Sequence, residues 1–303
     1  MSWSARSAAG EVDVGDADVV VVVGPTASGK TDLALAIGEL RDGEIVGADS
    51  VQVYRHFDIG SSKPTRAERA RLPHHLVDIV DPSEPMDAAS YAERASSAIA
   101  GVIERGRLPV VCGGTFLWIR ALLYGLAEAP PGDPEARQRH ATRAEAEGRA
   151  ALHAELAKVD PASANRLNPN DLVRVSRALE VFEATGRPLS AWQSEHGFRT
   201  PRYRAKLVGV RWSQEVLLER IAARTERALA SGWLEEVEDL VRRGYRDTRA
   251  MSSVGYRQVL ACLEGQIPRR DLKGAIDRAT KVFARRQRTW LRDRPIAWLD
   301  PTP

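Results

Sequence analysis

Gly24-Pro25-Thr26-Ala27-Ser28-Gly29-Lys30-Thr31 fits the pattern GxxxxGK[ST], which gathers backbone N–H groups, a lysine and a hydroxyl around one concavity. The glycines let the backbone approach an anion that side chains would hold off, and a helix N-terminus behind them favours negative charge. The chemistry predicted is binding of a phosphorylated ligand, with Lys30 on phosphate oxygens and Thr31 beside a Mg²⁺ ion. Whether that ligand is a nucleoside triphosphate or another diphosphate ester is open at this point.

A second candidate is Asp49, which ends the apolar run Glu44–Ala48 and is the acidic group nearest the loop in sequence. It could serve an acceptor, as in small-molecule kinases, or cap a helix. Nucleotide-hydrolysing proteins with such a loop usually place an acidic residue after a later apolar strand, where it helps hold Mg²⁺. Here Val110-Val111-Cys112 runs into Gly113-Gly114-Thr115 instead, and no Asn-Lys-x-Asp run exists to read guanine. A transferase fits better than a motor or a switch. A third candidate is Arg269–Arg294, with ten basic and three acidic residues. Arg278, Lys281, Arg285, Arg288 and Arg292 recur at spacings of three and four, which puts them on one helix face suited to a nucleic-acid backbone. Ile276, Ala279, Phe283 and Trp290 are expected to form the face that packs on the core.

These residues need an alternating scaffold. Strands are expected at 18–23, 44–48, 75–80, 108–112, 206–212 and 296–299, with helices at 30–40 and 88–104, after Gly114, and through Leu217, Ile221 and Leu229. Strands alternating with helices imply a parallel sheet whose active groups collect at the strands' C-terminal ends. From Ala127 to Arg204 strand-like runs give way to charged, alanine-rich helical stretches, entered through Pro130-Pro131-Gly132-Asp133-Pro134. The domains expected are therefore a core over 1–126, a helical insertion over 127–204, and a return to the core over 205–303.

With 303 residues, 43% of them hydrophobic, the chain can bury a sizeable core. A net charge of +3 is only mildly basic, so any nucleic-acid argument rests on where the charge lies. Cys112 and Cys262 are too few for a disulfide framework and read as buried thiols in a reducing cytosol. Met1–Asp16 has no basic start or apolar centre, and no stretch approaches membrane-spanning length, so a soluble cytoplasmic protein without membrane contact is expected.

GPTASGKT (24–31), ADSVQVYRHFDIGSSKP (48–64), HHLVDIVDP (74–82), VCGGTFLWIRALLYGL (111–126), RVSRALEV (174–181), SVGYRQ (253–258) and RRQRTWLR (285–292), in this order, resemble the tRNA dimethylallyltransferase family almost end to end. One departure is Ser252-Ser253 before Val254, where some members carry an arginine. The resemblance implies an α/β fold with a P-loop NTPase-like parallel sheet, a helical insertion and a basic C-terminal helix. It implies transfer of a dimethylallyl group from dimethylallyl diphosphate to N6 of adenosine 37 in the tRNA anticodon loop, with Mg²⁺; a monomer is expected, although the sequence itself does not fix the oligomeric state.

Under that resemblance the catalytic set is Asp49, Lys30 and Thr26, with Asp49 taking the amine proton. The diphosphate lies on Gly24, Pro25, Thr26, Ala27, Ser28, Gly29, Lys30 and Thr31, with Arg220 and Arg224 as further clamps. The same loop could bind ATP weakly, since it recognises phosphate and not what is attached. The tRNA path implied is Asp49, Ser50, Val51, Gln52, Thr115, Arg137, Val173, Arg174, Val175, Ser176, Arg177, Ser252, Ser253, Val254, Gly255, Tyr256 and Arg257, together with Lys281, Arg285 and Arg288. Phe116, Trp118 and Leu122 suit a prenyl channel or, more commonly, an inward helix face. A small-molecule kinase explains the loop but leaves the basic helix and the Gly-Gly-Thr strand end without a role. A non-catalytic RNA-binding module explains the helix but not the loop.

Overall fold

The structure, a computed structural model, describes residues 4–301. Helix α1 (Ala5–Gly10) precedes β1 (Val19–Val23), whose five valines are all buried. Branched side chains on both faces suit a strand covered on each side by helices. Next come α2 (Lys30–Leu40), β2 (Gly43–Ala48), α3 (Arg66–Arg71), β3 (His74–His75), α4 (Ala88–Glu104), β4 (Leu108–Gly113) and α5 (Phe116–Tyr124). Five helices follow, namely α6 (Pro134–Glu147), α7 (Arg149–Val159), α8 (Pro161–Arg166), α9 (Leu172–Thr185) and α10 (Leu189–His196). The chain then forms β5 (Ala205–Val210), α11 (Gln214–Ala230), α12 (Trp233–Arg242), α13 (Tyr256–Leu263), α14 (Arg269–Leu291) and β6 (Ile296–Leu299).

The six strands form one sheet in the order β3-β2-β4-β1-β5-β6, and every pair is parallel. This is a P-loop NTPase-like α/β architecture. From β1 the chain passes over the place of β4 to reach β2, while β5 occupies the other flank. The crevice for a ligand therefore opens at the carboxyl ends beside β1.

The chain divides into two compact units, one running to Leu123 and resuming at Pro201, the other Tyr124–Thr200. The second unit contains α6 to α10 around Leu152, Leu156, Val175, Ala178 and Leu179. Its bounds differ by a few residues from the insertion expected over 127–204. Backbone bonds of the sheet unit account for the later end, since Arg202 N–H donates to the Leu123 carbonyl at 2.7 Å and Asp18 N–H to the Arg204 carbonyl at 2.8 Å.

Three expectations need correcting. The strand expected at 75–80 is reduced to His74–His75, because Leu76 and Asp78 stand at φ 61° and 59°, in the left-handed region that breaks an extended run. Val80 then forms an isolated parallel bridge to Tyr54. Ala5–Gly10, for which no element was expected, is a helix whose Ala8 and Ala9 pack with Val12 in the main core. On α14, Phe283 and Trp290 are exposed, and the inward stripe is Leu272, Ile276, Ala284, Gln287 and Leu291. A polar residue in that stripe hid its phase from an apolar-periodicity reading.

Candidate active site

The loop between β1 and α2 is shaped by two left-handed residues, Ala27 at φ 64° and Gly29 at φ 87°. Its own backbone uses Ser28 N–H, which donates to the Pro25 carbonyl at 3.2 Å. Other elements hold the rest. Arg220 Nε donates to the Ala27 carbonyl at 2.8 Å, Trp212 Nε1 to the Ser28 carbonyl at 2.8 Å, and Arg224 Nη1 to Thr26 Oγ1. The Arg220 guanidinium also lies over the Trp212 ring, 4.6 Å from its centroid. Thr26 N–H donates to Gln287 Oε1 at 2.8 Å. With those contacts made, the N–H groups of Ala27, Gly29, Lys30 and Thr31 have no acceptor among the described residues. That is the arrangement of a backbone anion nest at a helix start.

Two cations, Lys30 and Arg224, and two carboxylates, Asp32 and Asp49, lie around the nest. Burial pulls the Lys30 ammonium below its ordinary pKa, while the neighbouring Cys112 and Asp49 oppose the shift. Burial likewise lowers the Arg224 guanidinium, against the field of Asp49. The Cys112 thiol donates towards the Lys30 carbonyl at 3.6 Å, and burial pushes its pKa up to about 11. It is a neutral wall of the site and not a nucleophile.

Asp49 follows β2 directly. Its Oδ1 accepts from Val51 N–H at 2.9 Å and Gln52 N–H at 3.3 Å, so one oxygen caps the 49–52 turn. Oδ2 has no hydrogen bond among the described residues. The turn is pinned by Thr115, whose N–H donates to the Ala48 carbonyl at 3.1 Å and whose Oγ1 accepts from Ser50 N–H at 3.0 Å. The two glycines before Thr115 are required by space. A Cβ on Gly113 would stand 2.1 Å from the Ala48 carbonyl oxygen, and one on Gly114 would stand 2.5 Å from Gln287 Nε2. The Gly-Gly-Thr strand end thus holds the Asp49 turn directly and the phosphate-type loop through Gln287.

Residues that sequence reasoning missed complete the frame. Glu236 accepts from Asp58, Ile59 and Gly60 N–H at 3.0, 2.7 and 3.3 Å, and from Tyr256 OH at 2.6 Å. Trp233 fills the space that side chains on Gly60 and Gly255 would need. The 48–64 and 253–258 blocks are therefore joined through α12, which carried no signal of its own beyond an amphipathic pattern. Gln287 lies in the quoted block 285–292 and Trp212 at the end of the expected strand 206–212, but sequence reasoning gives neither a role, although a glutamine interrupting the apolar stripe of α14 is a cue that the correct helical phase would have raised.

Several residues expected on the tRNA path have buried or engaged side chains. Gln52 Nε2 donates to the Ser61 and Ser62 carbonyls, both at 3.0 Å, and Tyr256 lies between Phe57 and Trp233 with Gly255 buried beside it. In the helical unit Val175 is core and Ser176 Oγ pairs with His140 Nδ1 at 2.9 Å. Arg137 Nε donates to the buried Glu180 at 3.0 Å, and Arg177 is tied to Glu180 and to the Pro130 and Pro131 carbonyls. These side chains shape the surfaces they belong to. Ser252, Arg257, Lys281, Arg285 and Arg288 are exposed on the sheet unit, and Val173 and Arg174 on the helical unit, while Ser253 and Val254 are half-buried. Trp118 stacks on Tyr91 at 4.5 Å and Leu122 is fully buried, so both belong to the core; Phe116 is half-buried.

No cluster of three or more His, Cys, Asp or Glu able to hold a metal occurs among the described residues. The Thr31 hydroxyl lies in the first turn of α2, beside the nest, and a divalent ion there would take most of its ligands from phosphate oxygens and water. No helix is long and apolar enough to cross a membrane among the described residues.

The chain matches the family model described as IPP transferase over residues 52–294. It is 60% identical over 282 residues to a tRNA dimethylallyltransferase from Sorangium cellulosum, covering 93% of this chain and 90% of that one. It is 47% identical to a tRNA dimethylallyltransferase from Myxococcus xanthus, covering 92% and 91%. Among solved structures it is similar to the full-length tRNA isopentenylpyrophosphate transferase from Bacillus halodurans, with a TM-score of 0.69, 34% identity, and 94% and 90% of the two chains covered. It is also similar to a eukaryotic dimethylallyltransferase captured acting on tRNA, with a TM-score of 0.77, 25% identity, and 94% and 74% covered.

Proposed function

Because the chain belongs to the IPP transferase family, we propose that it is a tRNA dimethylallyltransferase, moving the dimethylallyl group of dimethylallyl diphosphate to N6 of adenosine 37 in the anticodon loop. The bond formed is N6–C1 of the prenyl group, the bond broken is C1–O of the diphosphate, and one N6 proton must be removed. The carrying observation is that one Gly-Gly-Thr strand end joins a carboxylate with a free oxygen to an anion nest flanked by two cations.

Each step has a group suited to it. The free N–H groups of the loop with Lys30 and Arg224 hold the diphosphate and offset the charge that grows on it as C1–O breaks. Arg220, bound to the Ala27 carbonyl, fixes the loop's shape. Asp49 Oδ2 accepts a hydrogen bond from the N6 amine and takes its proton as the N–C1 bond forms. The Asp49 carboxylate cannot turn away, because its other oxygen is held by two backbone N–H groups. Thr26, fixed by Arg224 and Gln287, orients the reacting groups. A divalent cation, Mg²⁺ by its preference for phosphate oxygens, would be held beside Thr31 and would further neutralise the leaving diphosphate.

Adenosine within an anticodon loop is stacked, so N6 becomes accessible only when the base is drawn out. The exposed basic face of α14 supplies sequence-independent phosphate contacts for this, through Lys281, Arg285 and Arg288. Arg174 and Val173 are exposed contacts on the helical unit. The test is nucleoside analysis of tRNA after incubation with the protein, Mg²⁺ and dimethylallyl diphosphate without ATP. N6-(dimethylallyl)adenosine at position 37 and released diphosphate are expected. Unmodified tRNA, with ATP consumed when a small-molecule acceptor is added, would instead establish a kinase.

A further inference from the structure

Gln287 is the one polar residue of the inward stripe of α14, and it is 4% exposed. A side-chain amide buried at a helix–sheet contact is costly unless both of its ends are bonded. Both are, and to two different loops: Oε1 accepts from Thr26 N–H at 2.8 Å, and Nε2 donates to the Gly114 carbonyl at 3.0 Å. The partners are 261 and 173 residues away in the chain. The bridge is also selective in space, since Gly114 has room for Nε2 only because it lacks a side chain, and a Cβ there would stand 3.9 Å from Lys30 Cε.

Resting on the prenyl-transfer reading above, we infer that Gln287 is a positioning residue for the diphosphate-binding loop. Its amide ties the loop's third residue to the strand end that carries Thr115 and the Asp49 turn. It does two things at once. It takes up Thr26 N–H, so the nest is built from the later amides of Ala27, Gly29, Lys30 and Thr31. It also fixes the spacing between the leaving-group site on the loop and the proton acceptor after β2, because Gly114 is covalently joined to Thr115, and Thr115 holds Ser50. Neither task can be done by an apolar side chain of the same size, which would leave a buried donor and a buried acceptor unpaired.

The test uses Gln287→Met, which keeps length and volume but deletes both hydrogen bonds, and Gln287→Glu, which keeps the acceptor for Thr26 and sets a carboxylate oxygen against the Gly114 carbonyl. Steady-state kinetics would be read separately for the two substrates, with calorimetric binding of inorganic diphosphate and of tRNA alongside. For Gln287→Met, kcat/KM for dimethylallyl diphosphate is expected to fall about 10- to 100-fold, as for a misplaced reactive geometry, with tRNA Kd within about twofold of the parent. Gln287→Glu should lose donor-side efficiency at least as severely. Inorganic diphosphate affinity should drop in both variants, a readout that holds whatever group the enzyme transfers. Parent-like donor kinetics and diphosphate affinity in folded Gln287→Met would overturn the inference, as would an equal loss of tRNA affinity. A parent enzyme whose diphosphate affinity falls on Gln287→Met but which leaves tRNA unmodified would uphold the positioning role and reject the prenyl-transfer reading instead.

Discussion

Strand β2 carries a carboxylate near each end, and the two are treated in opposite ways. At the start, Glu44 is 2% exposed and receives Arg105 Nε at 3.0 Å, Arg105 Nη2 at 2.7 Å and Arg107 Nη1 at 3.3 Å, with His75 Nε2 at 2.7 Å. These partners, Arg105 above all, hold its carboxyl down at about 2. Just past the other end, Asp49 has two backbone donors on one oxygen and none on the other. A carboxylate satisfied on every lone pair can only hold structure. One that is satisfied on half of them is oriented and still able to accept a proton. The amino end of β2 is therefore built for stability, and its carboxyl end leaves open the oxygen that the proton transfer proposed above requires.

Substitutions at the two ends should separate these properties. Asp49→Ala is expected to have the largest effect, a loss of roughly 10²- to 10⁴-fold in turnover with only about 1 kcal/mol of stability lost with the turn cap and a much smaller loss of tRNA affinity. Single-turnover prenylation at a near-normal rate would remove Asp49 from the chemistry and erase the contrast. Lys30→Ala should follow at roughly 10²- to 10³-fold in kcat, the usual weight of one fixed donor on a leaving anion. Lys30→Arg should not fully restore it, since a broad planar guanidinium does not replace a compact ammonium in this loop.

Glu44→Gln should behave the other way round, costing about 2–3 kcal/mol in denaturant unfolding with kcat preserved, somewhat below a fully buried pair because its arginines are half exposed. Its pH dependence gives the sign. The folded-state pKa lies below the ordinary 4.5, so the stabilisation is present above pH 4.5 and is lost as pH falls towards 2. Unfolding curves between pH 6 and 3 should show the parent losing stability that Glu44→Gln does not have to lose. The smallest effect tests the outer surface of the working end. Arg285→Ala or Arg288→Ala should lower the slope of log K against log salt for tRNA by about 0.7 to 0.9 per contact, leaving the affinity for dimethylallyl diphosphate unchanged.

What the sequence made legible follows from how local each signal is. The loop, Asp49 and the strand ends were readable because a glycine pattern and apolar runs act over a few residues, and all four long strands of the sheet centre were anticipated. The third strand was overstated because nothing in His-Leu-Val-Asp-Ile-Val announces left-handed residues at Leu76 and Asp78. The face of α14 was misphased because Phe283 and Trp290 look like core and Gln287 does not. The roles of Gln287, Trp233 and Glu236 arise from contacts across more than 170 residues, which no local pattern encodes. The buried members of the expected tRNA path, Val175, Ser176 and Tyr256, belong to motif blocks whose regularity reflects packing as well as ligand contact.

The bond from Arg202 N–H to the Leu123 carbonyl has a consequence for how this chain could arise and be dissected. It brings the two cut ends of the sheet unit together at 2.7 Å, so the separation that an intervening segment must span is that of a tight turn. The entropy of closing a longer excursion grows only with the logarithm of its length, about 0.6 kcal/mol per doubling. A helical module of almost any size could be grafted at this seam, exchanged or removed without altering the strand order or the register of β1 with β5. The sheet unit is in this respect closed on itself at the seam, so the pairing of its strands does not depend on the length of the segment between Tyr124 and Thr200.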